Sequence, residues 1–222
     1  MRLTKTHIIK AGHAAWRCLP RDVRRRAMTR IAAALARKPD RVAPAHSQGV
    51  VVAGDAGSAN GLSEGARILH KVIAQHGLAR GFMPLGLPIS VPLPAEEAPR
   101  DAALLSVVNA PILPIGLLRL PRRFIAGRRV IGYWFWELPE APPSWHDAAG
   151  FVHEVWAPSP FTAQAFEPLA PGRVRVVPLP MAEIDLPTAG DRAHFGIPED
   201  VFVVTTIFNL ASSMVRKNPL GA

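Results

Sequence analysis

The chain has 222 residues, 49% of them hydrophobic, with one cysteine and a formal net charge of +9. That length supplies one full domain and part of a second, and the lone Cys18 excludes an internal disulfide framework, so a reducing cytoplasm is the expected compartment. Residues 1–41 hold 12 Lys and Arg against 2 Asp and Glu, while residues 42–222 hold 14 against 15; basicity belongs to an N-terminal arm, and the body has no nucleic-acid signature.

Within the arm, PRDVRRRAMTRIAAALARKPD spaces Val23, Ala27, Ile31 and Ala34 by three and four residues, with Arg24, Arg25, Arg26 and Arg30 elsewhere around the wheel. This pattern predicts a basic helix closed by Pro39. Two readings stand for it: a solvated extension, or a surface for anionic lipid. No run in the chain reaches the roughly 18–20 apolar residues of a membrane span, and the arm lacks the apolar centre of a signal peptide.

After Pro44 the texture changes. A short apolar strand is predicted over Gly49–Ala53, then a loop of small residues, then a helix with Ile68, Leu69, Val72 and Ile73 on one side. Ser63 suits the helix N-cap and Gly77 its stop. The same alternation continues to residue 185 through ALLSVVNA, RRVIGYWFW, HEVWAPS followed by PFTAQAF, and VRVVPLP. These runs are short and continuously apolar, as in a parallel sheet buried on both faces, so the expected class is α/β.

Residues 181–200 are rich in turn formers and read as a linker. VFVVTTIFN then predicts a new strand over 201–208, followed by the polar loop LASSMVRKN and by Pro219 at a first helical turn. The expected division is a basic arm over 1–41, an N-terminal domain over 42–185, and a linker with the start of a second domain over 186–222.

In open α/β sheets ligands bind beyond the carboxyl ends of the strands. The first such loop, DAGSANGLSEGAR, contains Asn60 and Gly61; its glycines let backbone N–H groups approach a phosphate or sugar, although a simple tight turn reads equally well. It fits neither G-x-G-x-x-G nor the lysine-bearing phosphate loop. In SSMVRKN, Arg216 and Lys217 precede a predicted helix start, where two cations grip a diphosphate or form a solvated basic pair. No D-x-D pair, zinc-spaced His or Cys cluster, or G-x-S-x-G elbow is present, so no metal is expected.

VIGYWFWELPE is the densest aromatic run. Core packing accounts for most of its rings, but Glu137 falls at the strand's carboxyl end beside Trp136. Three roles are open to that carboxylate: binding sugar hydroxyls, acting as an acid or base with a desolvation-raised pKa, or capping the LPEAPPSW segment.

IGYWFWELPEAPPSW, HEVWAPSPFTAQAF, RVVPLP, HFGIPEDVFVV and SSMVRKNPLGA, in that order, together with NGLSEGAR, resemble a bacterial branch of the glycosyltransferase family 4 (group 1) enzymes of the GT-B fold. The resemblance covers about residues 46–222. It implies two Rossmann-like domains facing across a cleft, and retaining transfer of a sugar from a nucleotide-sugar donor to a carbohydrate or lipid-linked acceptor. No metal or other cofactor is implied; the nucleotide-sugar is a substrate.

By position in the resemblance, Gly61 lies near the donor diphosphate, Arg216 and Lys217 bind it, and Ser213 assists them. Trp136 and Glu137 stand on the acceptor side, where many relatives carry a histidine, with Asn60 and Ser159 nearby; Ser159 also suits a helix cap. Relatives continue beyond this length, and their carboxylate motif for donor sugar and ribose lies in that continuation. The implied chain is therefore an acceptor-side domain plus the start of a donor domain. It is expected to lack transfer activity alone, and to be cytoplasmic, with the arm placing it peripherally at the membrane's inner face. Two alternatives stand beside this reading: a non-catalytic sugar-binding or membrane-docking module derived from such an enzyme, and a nucleotide-binding α/β regulator of other ancestry.

Overall fold

Apolar runs become strands where two neighbours can bury both of their faces. Strands β1 (Val50–Gly54), β3 (Ala103–Val107) and β4 (Val130–Tyr133) are buried almost throughout, whereas β5 (Glu154–Ala157) alternates. The edge strands β2 (Ala79–Pro84) and β6 (Val174–Val176) are more exposed. The computed structural model describes residues 16–55, 57, 60–86, 99–181, 192–208, 214 and 218–221. Its six strands lie in the order β2-β1-β3-β4-β5-β6, and every pair is parallel. This is a Rossmann-like α/β sheet.

Successive strand residues point to opposite faces, and two cores result. Val52, Leu105, Val107, Ile131 and Tyr133 pack under helix α2 (Gly61–Gln75) through Ala66 and Leu69. Val51, Leu104, Val130, Trp134 and Val155 face the other side, with Leu113 and Leu117 of helix α3 (Leu113–Leu117), Ala148 and Ala149 of α4 (His146–Ala149) and Phe166 of α5 (Pro160–Phe166). Helix α2 approaches β1 closely: a Cβ on Gly54 would lie 2.7 Å from that of Ala66.

Gly77 ends α2 as the sequence predicts, at φ +69°. The Leu78 N–H donates to the Ile73 carbonyl (3.1 Å) and the Gly77 N–H to that of Ala74 (2.9 Å). Those two bonds satisfy carbonyls that the helix end leaves open.

The predicted basic helix forms as α1 (Arg21–Leu35) and is folded onto the domain, with Ala32 and Ala36 buried and Ala33 packed against the core. The segment after it is tied to the N-terminal end of the sheet. The Gly127 N–H donates to Asp40 Oδ2 (2.7 Å), and Arg129 Nη2 to the Pro44 carbonyl (2.9 Å); Arg129 also pairs with Glu154. His153 bridges there: its Nδ1 accepts the Val130 N–H (2.9 Å), so Nε2 is the nitrogen that donates to the Asp40 carbonyl (2.8 Å).

Residues Glu183–Ala222 form a second compact unit. In it Arg192 Nη1 donates to the carbonyls of Pro198 and Val201 (both 2.9 Å). The strand expected over 201–208 is not formed: those residues pair with no strand, and Phe202 and Ile207 are 93% and 91% exposed. β-branched composition favours a strand only when neighbouring strands complete its hydrogen bonds. No second sheet is formed among the described residues.

Candidate functional site

The chain leaves β1 through α2 to β2 on one side, then returns to place β3 on the other. The carboxyl ends of β1 and β3 therefore flank a topological switch point, where open α/β sheets form a crevice. The exits of β1, β3, β4 and β5 line this end in that spatial order.

At the β1 exit, Asn60 rather than Ser63 is the cap of α2. Its Oδ1 accepts from the Ser63 N–H (3.0 Å) and from the Ser63 hydroxyl (3.2 Å), and Ser63 is wholly buried two positions after Gly61. An amide side chain at the cap saturates a helix N–H that has no carbonyl partner. Gly61, the first helical residue, has no heavy atom of the described residues, its own helix backbone and chain neighbours aside, within 4 Å of where a Cβ would stand, and its φ is not positive. Neither packing nor backbone conformation demands a glycine there. Asp55, which precedes the loop, accepts the Gly57 N–H at Oδ1 (2.9 Å).

The aromatic run is sorted by the end of β4. Tyr133 is fully buried, donates its hydroxyl to the Val177 carbonyl (2.7 Å), and has its pKa pushed up by burial to about 12. Trp134 is also fully buried, edge-on to Trp145 and Phe166, with its indole N–H unpaired. Trp136 is half-buried against Trp145 at 5.1 Å between ring centroids, and its indole N–H is taken by the Glu140 carbonyl (2.7 Å).

Glu137 is exposed. The backbone leading to it, at Phe135 and Trp136, is held on two sides. Asn109, at the β3 exit, accepts the Phe135 N–H at Oδ1 (2.9 Å), and Thr162 of α5 donates its hydroxyl to the Trp136 carbonyl (3.3 Å). Ser159 caps α5 by accepting the Thr162 N–H (3.2 Å), and its hydroxyl lies 3.0 Å from that of Thr162.

The structure thus brings Trp136, Glu137 and Ser159 onto adjacent strand exits, with Asn60 and Gly61 two strands away across the β3 exit. Ser213, Arg216 and Lys217 lie outside the described residues. Asn109 and Thr162 were not foreseen. Asn109 did carry a signal, since it is the first polar residue after an apolar strand run.

No group of three or more His, Cys, Asp or Glu side chains suited to a metal ion occurs among the described residues. The first-turn N–H groups of α2 are the feature that suits an anion, because a helix start carries partial positive charge. No family model, no curated protein and no solved structure matches the chain; what its fold establishes is a Rossmann-like α/β domain with a six-strand parallel sheet.

Proposed function

We propose that residues 42–185 are the acceptor-side domain of a retaining glycosyltransferase of the GT-B type, which moves a sugar from a nucleotide-sugar to a carbohydrate or lipid-linked acceptor. The ordered sequence resemblance supports this reading, as does a parallel sheet with its switch point at the β1 exit. The observation that carries it is Gly61: a glycine that the fold does not require, at the start of a helix in open space beside that switch point. A glycine there leaves room for a diphosphate to reach the helix N–H groups.

In this reading Glu137 accepts hydrogen bonds from acceptor hydroxyls on a strand exit pinned by Asn109 and Thr162. Trp136, half-buried against Trp145, braces that exit. Arg216, Lys217 and Ser213 neutralise the donor diphosphate, the task a metal performs elsewhere. Residues 201–208 pair with no strand, and that favours a second reading, a module that binds sugar without transferring it.

The test uses residues 1–222 joined to a complete donor-binding domain. Arg216→Ala and Lys217→Ala should each weaken donor affinity about ten- to hundredfold, the size of a charge-assisted contact of roughly 1.5–3 kcal/mol. Glu137→Gln should lower turnover with donor affinity unchanged. Collapse of donor affinity in the Glu137 variant, with both cation variants intact, would reverse the two walls.

A further inference from the structure

Helix α1 has two unlike faces. Small residues, Ala32, Ala33 and Ala36, lie against the domain. The large apolar residues point the other way: Val23, Met28, Ile31 and Leu35 are between 41% and 67% exposed. Met28, Ile31 and Leu35 follow one another at three and four residues and so form one stripe. Arg26 and Arg30, both exposed and one turn apart, lie about 150° around the helix from that stripe, on the other flank of the outward side, where Val23 also falls. A helix built only to fill a core would turn its leucine and isoleucine inward and its alanines outward.

We propose that this outward face docks on an anionic lipid surface. The helix would lie in the interface plane with Ile31 and Val23 entering the headgroup–acyl boundary, Leu35 and Met28 along one flank, and Arg26 and Arg30 reaching lipid phosphates from the other. Charge decides between possible occupants. Residues 1–41 carry 12 basic against 2 acidic side chains, so a second copy of this face would be repelled, whereas an anionic bilayer attracts it. A nucleic acid offers the arginines phosphate but gives Ile31 and Leu35 no apolar phase to enter. No helix among the described residues is long and apolar enough to cross a membrane, so α1 lies on the bilayer. The inference rests on α1 alone and is independent of the sugar-transfer reading.

Co-sedimentation of the full chain with phosphatidylcholine vesicles, with and without about one third phosphatidylglycerol, tests it. Binding is expected only to the anionic vesicles and should be reversed by salt, because each basic residue at such a surface contributes about 1 kcal/mol and is screened within a Debye length. Arg26→Ser with Arg30→Ser should weaken binding about 25-fold, and Ile31→Ser with Leu35→Ser about tenfold, each with only a small fall in unfolding temperature because the replaced side chains are largely exposed and serine is the poorer helix former. Arg80→Ser with Arg175→Ser removes the same charge from the exposed edge strands, and should change binding less than twofold. Equal binding to uncharged vesicles, retention by both α1 variants, or an equal loss in the edge-strand variant would overturn the proposal. So would a concentration-dependent dimer abolished by Ile31→Ser with Leu35→Ser, or duplex RNA binding that survives those changes.

Discussion

Tyr133 is the only tyrosine in the chain, so its titration can be read without assignment. Burial raises its pKa from 10.0 to about 12, which means that folding favours the neutral phenol. Its contribution to stability is complete below pH 10 and is lost as pH rises through about 12; it is worth on the order of 2–3 kcal/mol. Absorbance of tyrosinate should therefore rise near pH 10 in denaturant and about two units later in the native protein. A native titration coincident with the denatured one would remove the buried hydroxyl from the account. Gly132, one residue earlier, is fixed by packing: a Cβ there would lie 2.6 Å from Trp134 Nε1 and 3.1 Å from Val152 Cγ1. Gly132→Ala should cost about 1–3 kcal/mol in urea unfolding, as overpacking of a filled core does, and an unchanged midpoint would show that the indole moves aside. At this scale the sequence placed Glu137 at the exit end of β4, because a carboxylate closing an apolar run marks a strand exit, although β4 itself stops at Tyr133, four residues earlier. It did not reveal that Asn109 would hold Phe135 or that Thr162 would hold Trp136, since those partners lie 26 residues apart and meet only through strand order.

Helix α2 is the element on which the proposed site depends. Asn60→Ala should destabilise the fold by about 1 kcal/mol by removing the cap, while Asn60→Asp keeps an acceptor for the Ser63 N–H and should retain stability. Gly61→Ala should leave stability equal or raise it by up to about 1 kcal/mol, since the new methyl meets nothing and alanine is the better helix former. If Gly61 is instead needed for folding, that variant will melt earlier, and the glycine will owe nothing to a ligand. The elements legible in the sequence were those with apolar runs, namely β1, β3, β4 and β5, and also β6 in spite of Arg175 within it. Strand β2 was missed because an edge strand needs no such run: Arg80 and Gly81 are exposed within it. The opposite error arose at 201–208, where composition favoured a strand but no partner strand pairs with it among the described residues.

At the scale of the molecule, six parallel strands bring their exits to one end, while Asp40, Pro44, Arg129 and His153 tie the segment after α1 across the other. The sequence conveyed the class of fold, since unbroken apolar runs alternating with helices leave little besides a sheet covered on both faces. It did not convey that the basic helix would be part of the domain, because alanines that pack and alanines that merely stabilise a helix read alike. The central claim, that the strand-exit end receives a sugar acceptor, is tested most directly by backbone amide NMR of the 222-residue protein. A panel of oligosaccharides and of nucleotide-sugars would be titrated into the labelled chain. The account predicts that an oligosaccharide shifts the amides of Glu137 and Ser159 and their neighbours, leaving those of Asp40, Gly127 and His153 at the opposite end unmoved. Tight binding of a nucleotide alone, with no sugar moving the amides of Glu137 or Ser159, would contradict it and point to a nucleotide-binding regulator.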